Sequence, residues 1–392
     1  MDLISIKNRC SSLLPYTYGF FMCAFFLFPS AKSHNILFYS TVLAPALPLF
    51  GGQFSHLFKN NIPYRIISIF IIYCSFSVFW SPNSNFGSIF KIFRHALYPL
   101  IFISITIHIF ETNPKNLKKI FTWLIVAAVI TAVANIFLWY KDNPFPISRL
   151  RGWGRIENPI VIGCCYGMIA IITLTRMFKA TARRDILIYM ATTIIFFMFI
   201  ILTQSRLALI ALSIIFLVSV IIHLNRMAMI FLMAAVMSIT LFLLLEPEII
   251  QKYFRGTAHI RFYIWKQILY DSMNTPFFGH GILDKLSVVV DGRTYTTSHS
   301  IYIGTAFHFG IFGILMLTFV IISALKISFD YAKQSKDYLL FLLCIFGLVC
   351  SAGDFGVLID HPNGPWLLFW LPISLSVSKY NETREFYYGT RP

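Results

Sequence analysis

The chain is dominated by apolar runs that approach or reach the length needed to cross a bilayer. The hydrocarbon core of a membrane is roughly 30 Å thick and takes about 20 apolar helical residues. Runs of this kind fall at 12–30, 36–50, 62–80, 89–110, 118–140, 159–178, 186–204, 206–222, 227–246, 300–327, 338–353 and 364–379. With 57% hydrophobic residues, 12% charged residues and 41 Phe, the chain lacks the polar surface to clothe a water-soluble globule. The expectation is an all-α polytopic membrane protein of about twelve transmembrane helices. No linker composition divides it, so residues 1–392 read as a single transmembrane domain with a long structured segment at 247–298 between the ninth and tenth spans. The first run follows Lys7 and Arg9 and reads as a retained helix rather than a cleaved signal, because so many spans come after it.

The stretch IILTQSRLALIAL, Ile200 to Leu212, tests this division. Ile186 to Ile222 is 37 residues, which as one helix would be about 55 Å long, nearly twice the apolar thickness. It must be two spans, and Thr203, Gln204, Ser205 and Arg206 are the only polar group at which to turn. Arg206 is therefore expected at a membrane face.

Basic clusters between spans, KNLKK and RMFKATARR, orient the chain with both termini in the cytoplasm. The 203–206 turn, the 141–158 loop and the 247–298 segment then face outward. That face is unusually basic: Lys141, Arg149, Arg151 and Arg155 crowd one loop, and Lys252, Arg255, Arg261, Lys266, Lys285 and Arg293 populate the long segment. Positive charge on the translocated side calls for an anionic partner, and the planar donor fork of arginine suits phosphate oxygens. Snorkelling to lipid phosphates, or pairing with Glu246, Glu248, Asp271 or Asp291, accounts for most of these residues. Arg206 stands apart, with no carboxylate near it in sequence.

Seven cysteines lie in or beside the spans, so neither a structural disulfide nor a zinc site is expected from them. No H-E-x-x-H, P-loop or G-x-S-x-G pattern occurs. The cytoplasmic loops are too short to fold into a nucleotide-sugar domain, which leaves the outer segments and helix ends for any chemistry. In AHIRFYIWKQILYDSM, Ala258 to Met273, the isoleucines at 260, 264 and 268 recur every four residues and predict an amphipathic helix lying on the outer membrane face. PFFGHG at 276–281 reads as a turn. His299 stands where the segment re-enters the membrane, level with Arg206. A free imidazole titrates near pH 6.5 and can accept a proton from a hydroxyl. His308, deeper in the span, reads as buried structure and His280 as a turn residue.

TQSR at 203–206, HIRFYIW at 259–265, PFFGHG at 276–281, SHSIYIG at 298–304 and GIFG at 310–313 together resemble the O-antigen ligase family, whose superfamily also holds O-antigen polymerases. The resemblance covers the second half of the chain. It implies a glycosyltransferase of the Gram-negative inner membrane, with its active site facing the periplasm. Such enzymes move a finished glycan from undecaprenyl pyrophosphate to a sugar hydroxyl of lipid A-core. Carried over by position, it implies His299 as the essential histidine and Arg206 and Arg261 as the arginines that engage the pyrophosphate. Arg255, Arg151 and Arg155 are further candidates for phosphate or glycan contact. Neither metal nor cofactor is implied, and the expected partners are the two lipid-linked substrates and membrane lipids, not nucleic acid. The family often carries Asn after this histidine, where this chain has Ser300. Two alternatives remain at this point: a polymerase using the same donor, and a flippase or coupled transporter. Against coupling, no Asp or Glu falls inside a span by these boundaries, and Asp354 and Asp360 lie in an outer loop.

Overall fold

The computed structural model describes residues 3–28, 30–152, 156–223 and 258–388. Their architecture is helical throughout, apart from one two-stranded hairpin. In chain order the helices are α1 (Leu3–Leu27), α2 (Ala31–Leu37), α3 (Ala44–Ala46), α4 (Phe50–Asn60), α5 (Ile62–Phe76), α6 (Phe86–Thr112), α7 (Lys115–Asp142), α8 (Pro159–Lys179), α9 (Arg183–Leu202) and α10 (Arg206–His223). After the undescribed stretch come α11 (Ala258–Ser272), the strands β1 (Val288–Val290) and β2 (Arg293–Tyr295), then α12 (Ile301–Ser335), α13 (Leu339–Gly353), α14 (Leu371–Val377) and α15 (Tyr380–Tyr388).

Among the described residues seven helices are long and apolar enough to cross a membrane, and α10 and α13 hold shorter apolar stretches. The protein is thus an all-α, multi-span membrane protein. Large apolar side chains such as Phe90, Phe137, Ile194 and Phe319 are exposed along these helices, the arrangement that lipid rather than water requires. The apolar run at 227–246 lies outside the described residues.

Two runs that hydropathy marks as spans are not simple helices. Between Ala31 and Asn60 the chain passes through a π-helical turn at Phe38–Leu43, the three-residue α3 and a tight 3-10 turn at Leu47–Leu49. Pro45 and Pro48 each remove a backbone donor there, which is why the helix cannot run through. The last run likewise opens with a π-helical turn at Trp366–Trp370, between Pro365 and Pro372. Its indoles are fully buried, and Trp366 packs on Phe102 at 4.8 Å and Phe38 at 5.0 Å between ring centres. This aromatic cluster ties the first and last thirds of the chain together.

The amphipathic stretch is a helix, α11, but its apolar face is turned the other way from the expectation. Ile264 and Ile268 are buried against Leu286, Val288 and Phe307, with Ile260 beside them. The isoleucine stripe is therefore satisfied by protein rather than by lipid. The hairpin supplies part of that cover. Asp291 and Gly292, both at positive φ, make the two-residue turn between β1 and β2, and Val290 pairs with Arg293. Asp-Gly suits such a turn because both of its central residues need φ > 0.

Helix α12 is broken at Gly310, whose φ of 62° and ψ of −160° are not helical. The freed backbone groups find partners in the 276–281 turn: Ile311 N–H donates to Pro276 O, and His280 and Gly281 N–H donate to Phe307 O and His308 O. A broken helix is tolerated at membrane depth only when such groups are satisfied by protein. The C-terminal end of α5 and the residues after it brace this region in the same way. Tyr73 donates to Phe309 O at 2.9 Å, and Ser77 and Ser81 accept from Ile282 and Leu283 N–H. His280 and His308 are part of this knot: His280 stacks on Phe307 at 4.4 Å, and His308 Nδ1 lies 3.0 Å from Gly281 O.

Candidate functional site

The TQSR sequence forms the connection between two consecutive helices. α9 ends at Leu202, Gln204 takes a positive φ of 50°, and α10 begins at Arg206. The preceding loop packs over this turn, since Arg149 Nε donates to Thr203 O at 2.8 Å and Leu150 N–H to Leu202 O at 2.9 Å. Arg206 is half-buried, and the next residue, Leu207, presses against Gly353 at the end of α13. A Cβ on Gly353 would stand 2.6 Å from the end of the Leu207 side chain, so any larger residue there would push that side chain aside.

Gly353 is also where α11 arrives. The half-buried Arg261 guanidinium donates to the Gly353 carbonyl. One residue on, Asp354 Oδ1 faces His299 Nδ1 at 3.3 Å and accepts the Phe355 N–H at 2.9 Å. The Asp354 side chain is only 8% exposed and that of His299 32% exposed. The other ring nitrogen, His299 Nε2, lies 3.0 Å from Thr297 Oγ1. Thus the Gly353–Asp354 dipeptide gathers three sequence-distant elements: the 203–206 turn, α11 and the histidine loop.

Backbone strain marks the same place. His299 has φ 49° and Phe355 φ 75°, conformations that a non-glycine residue adopts at a cost of roughly 1–3 kcal/mol. The turns are held by neighbours: Trp265 Nε1 donates to Ser298 O at 2.8 Å, and Ser300 is the N-cap of α12, its side chain accepting the Ile303 N–H. Ser and Asn serve equally well at an N-cap. The departure at Ser300 therefore leaves the start of α12 intact.

Of the residues singled out in the sequence, Arg261 and His299 meet at Gly353–Asp354, and the backbone that carries Arg206 reaches the same place through Leu207. Arg151 is exposed in the loop that covers the 203–206 turn. Arg155 and Arg255 lie outside the described residues. The sequence reading missed Asp354, which it placed only in an outer loop. No spacing links it to His299, 55 residues away.

Residues 191–318 match the family model described as O-antigen ligase. The interval is about a third of the chain, and it holds TQSR, α11, the 276–281 turn and His299. It bears out the O-antigen ligase resemblance drawn from those motifs. A ligase- or polymerase-type, glycosyltransferase-like function comes with that match. Asp354, the carboxylate that faces the histidine of the O-antigen ligase interval, lies beyond the matched residues. No curated protein matches the chain.

Proposed function

We propose that the protein is an O-antigen ligase of the Gram-negative inner membrane, with this site at the periplasmic face and both termini in the cytoplasm. It transfers a glycan from undecaprenyl pyrophosphate to a sugar hydroxyl of lipid A-core. The observation that carries this reading is the His299–Asp354 pair, set beside Arg261 and the Arg206 turn within the matched family interval.

The chemistry follows from the atoms. With Nδ1–H directed at Asp354, His299 keeps a lone pair on Nε2, the tautomer being inferred from the hydrogen bonds. The acceptor hydroxyl oxygen attacks the anomeric carbon and its proton passes to Nε2, while the bond from that carbon to the pyrophosphate oxygen breaks. Attack opposite the leaving group inverts the anomeric centre. Negative charge grows on the departing pyrophosphate, and the guanidiniums of Arg261 and Arg206 stabilise it. Arg261 has five N–H donors, of which Gly353 engages one. Fixed donors at a partly dehydrated rim need no reorganisation as that charge develops. Asp354 holds the ring in its orientation and stabilises the imidazolium, the role of the third member in Asp-His-hydroxyl catalysis. The chemical step calls for no metal.

Asp354→Asn keeps the side-chain volume and removes the charge. It is expected to lower transfer by about 10²-fold or more through loss of the tautomer and of imidazolium stabilisation. Wild-type rates in membranes carrying equal amounts of the variant would remove Asp354 from the site. The reaction type is tested by supplying purified protein with lipid-linked glycan and lipid A-core together. Glycan joined to core is the expected product. Longer lipid-linked chains with no core product would identify a polymerase instead, and no covalent product at all would point to a flippase.

A further inference from the structure

The 354–365 loop carries a second polar cluster at its far end. Asp360 and His361 fold back against α6, where they meet His95, itself only 8% exposed. His361 Nδ1 lies 3.2 Å and His95 Nδ1 3.6 Å from the same oxygen, Asp360 Oδ1, and the two imidazoles meet edge to face with centroids 4.3 Å apart. One ligand atom from each of the three residues lies within 4.8 Å of the other two.

We propose that His95, Asp360 and His361 bind a transition-metal dication of the zinc type, tying α6 to the 354–365 loop. Four ligands at about 2.0–2.1 Å from a tetrahedral ion stand roughly 3.3 Å from one another. The two measured separations bracket that edge, and the longer of them is beyond a useful hydrogen bond. The hydrogen-bonded alternative therefore accounts for His361 but not for His95. His95 Nε2, the ring's other nitrogen, is buried with no hydrogen-bond partner among the described residues; an ion held by Nδ1 leaves that atom unpaired, so the geometry at Nδ1 is what supports the site. Tyr98 packs on both rings, at 5.9 Å from His95 and 5.3 Å from His361, and limits their rotation.

The donor set selects the class of ion. Two imidazoles and one carboxylate suit zinc, cobalt or nickel, whereas magnesium and calcium prefer oxygen. The Asp360 side chain is 45% exposed, so an ion has a route in from solvent and a fourth position open to water. Lys91 and Arg94, on the same helix as His95, oppose a cation, and the single carboxylate offsets part of that repulsion. The site is separate from the His299 pair, yet the loop that carries it begins at Asp354. An ion here fixes the far end of the loop on which the histidine's partner is mounted.

Full-length protein in nanodiscs, stripped with chelator, is titrated with Co²⁺ and read by its visible absorption, with Zn²⁺ as competitor. The expected result is one equivalent with the intense bands of a four-coordinate site, displaced by Zn²⁺ and not by Mg²⁺. His361→Ala and Asp360→Asn, at the accessible side of the cluster, weaken binding by at least about 10-fold, the loss typical even of an outer-sphere partner. His299→Ala leaves it unchanged. Absence of such bands, or bands that survive both cluster variants, overturns the proposal. So do bands lost in His299→Ala, which would place the ion at the histidine pair. Because the readout is binding rather than transfer, its failure is independent of any failure of the ligase reading.

Discussion

His299→Ala is expected to reduce glycan transfer by about 10²–10⁴-fold in membranes that hold wild-type amounts of the protein, the range a positioned acid–base group contributes. The ring is partly exposed and contributes little to the core, so its loss leaves insertion and packing intact. A structural role predicts the opposite pattern, with low protein levels and near-normal rate per molecule. His299→Gln sharpens the distinction. Glutamine can still donate toward Asp354 but cannot take up a proton, so it should retain the fold and remain as inactive as alanine. Arg261→Lys belongs to the same experiment. It keeps the charge and removes the planar fork that donates to the Gly353 carbonyl and, in the proposed role, also to a phosphate oxygen. Substantial transfer by His299→Ala would dismiss the histidine as base, whatever the arginine variants show.

The parts of this site that local pattern could reveal were those set by hydropathy and turn chemistry. The length of the 186–222 run demands a turn, and the structure makes it at 203–206, ending α9 at Leu202. His299 and Arg261 were marked by short motifs. Asp354 was not, because its contact is made by tertiary packing of α13 against the histidine loop, and no periodicity encodes it. The orientation of α11 was misjudged for a related reason. A four-residue isoleucine repeat shows that one face is buried but not what buries it, and here Val288 and Phe307 do. The hairpin was not read from the sequence, although Asp-Gly between VVV and RTY is a two-residue turn signal that could have revealed it. Hydropathy marks 36–50 and 364–379 as spans without registering that Pro45, Pro48, Pro365 and Pro372 break them. His95 and the Asp360–His361 pair carry no shared motif, being separated by more than two-thirds of the chain.

Gly310→Ala is expected to destabilise the protein by about 2–6 kcal/mol, and to do so where a comparable change at Gly292 does not. Two effects add at Gly310. Its φ of 62° with ψ of −160° belongs to a region that is essentially glycine-only, at a cost of roughly 1–3 kcal/mol for other residues. A Cβ there would also stand 2.4 Å from Phe277 O and 2.6 Å from Gly279 N, and relieving such overpacking typically costs about 1–3 kcal/mol more. Neither neighbour can yield, since both are backbone atoms in the 276–281 turn that satisfies the broken helix. Gly292 has φ 73° but meets nothing within 4 Å, so alanine there bears conformational strain alone. Thermal unfolding in detergent should show a large loss for Gly310→Ala and a small one for Gly292→Ala. Equal losses would mean that the break in α12 is not held by the 276–281 turn. The effect also reaches the chemistry, because the nine residues 301–309 before the break are the platform that begins at Ser300 and presents His299 to Asp354. Freeing that platform lowers transfer in step with stability, whereas His299→Ala lowers transfer alone, and the two measurements on one pair of variants separate scaffold from base.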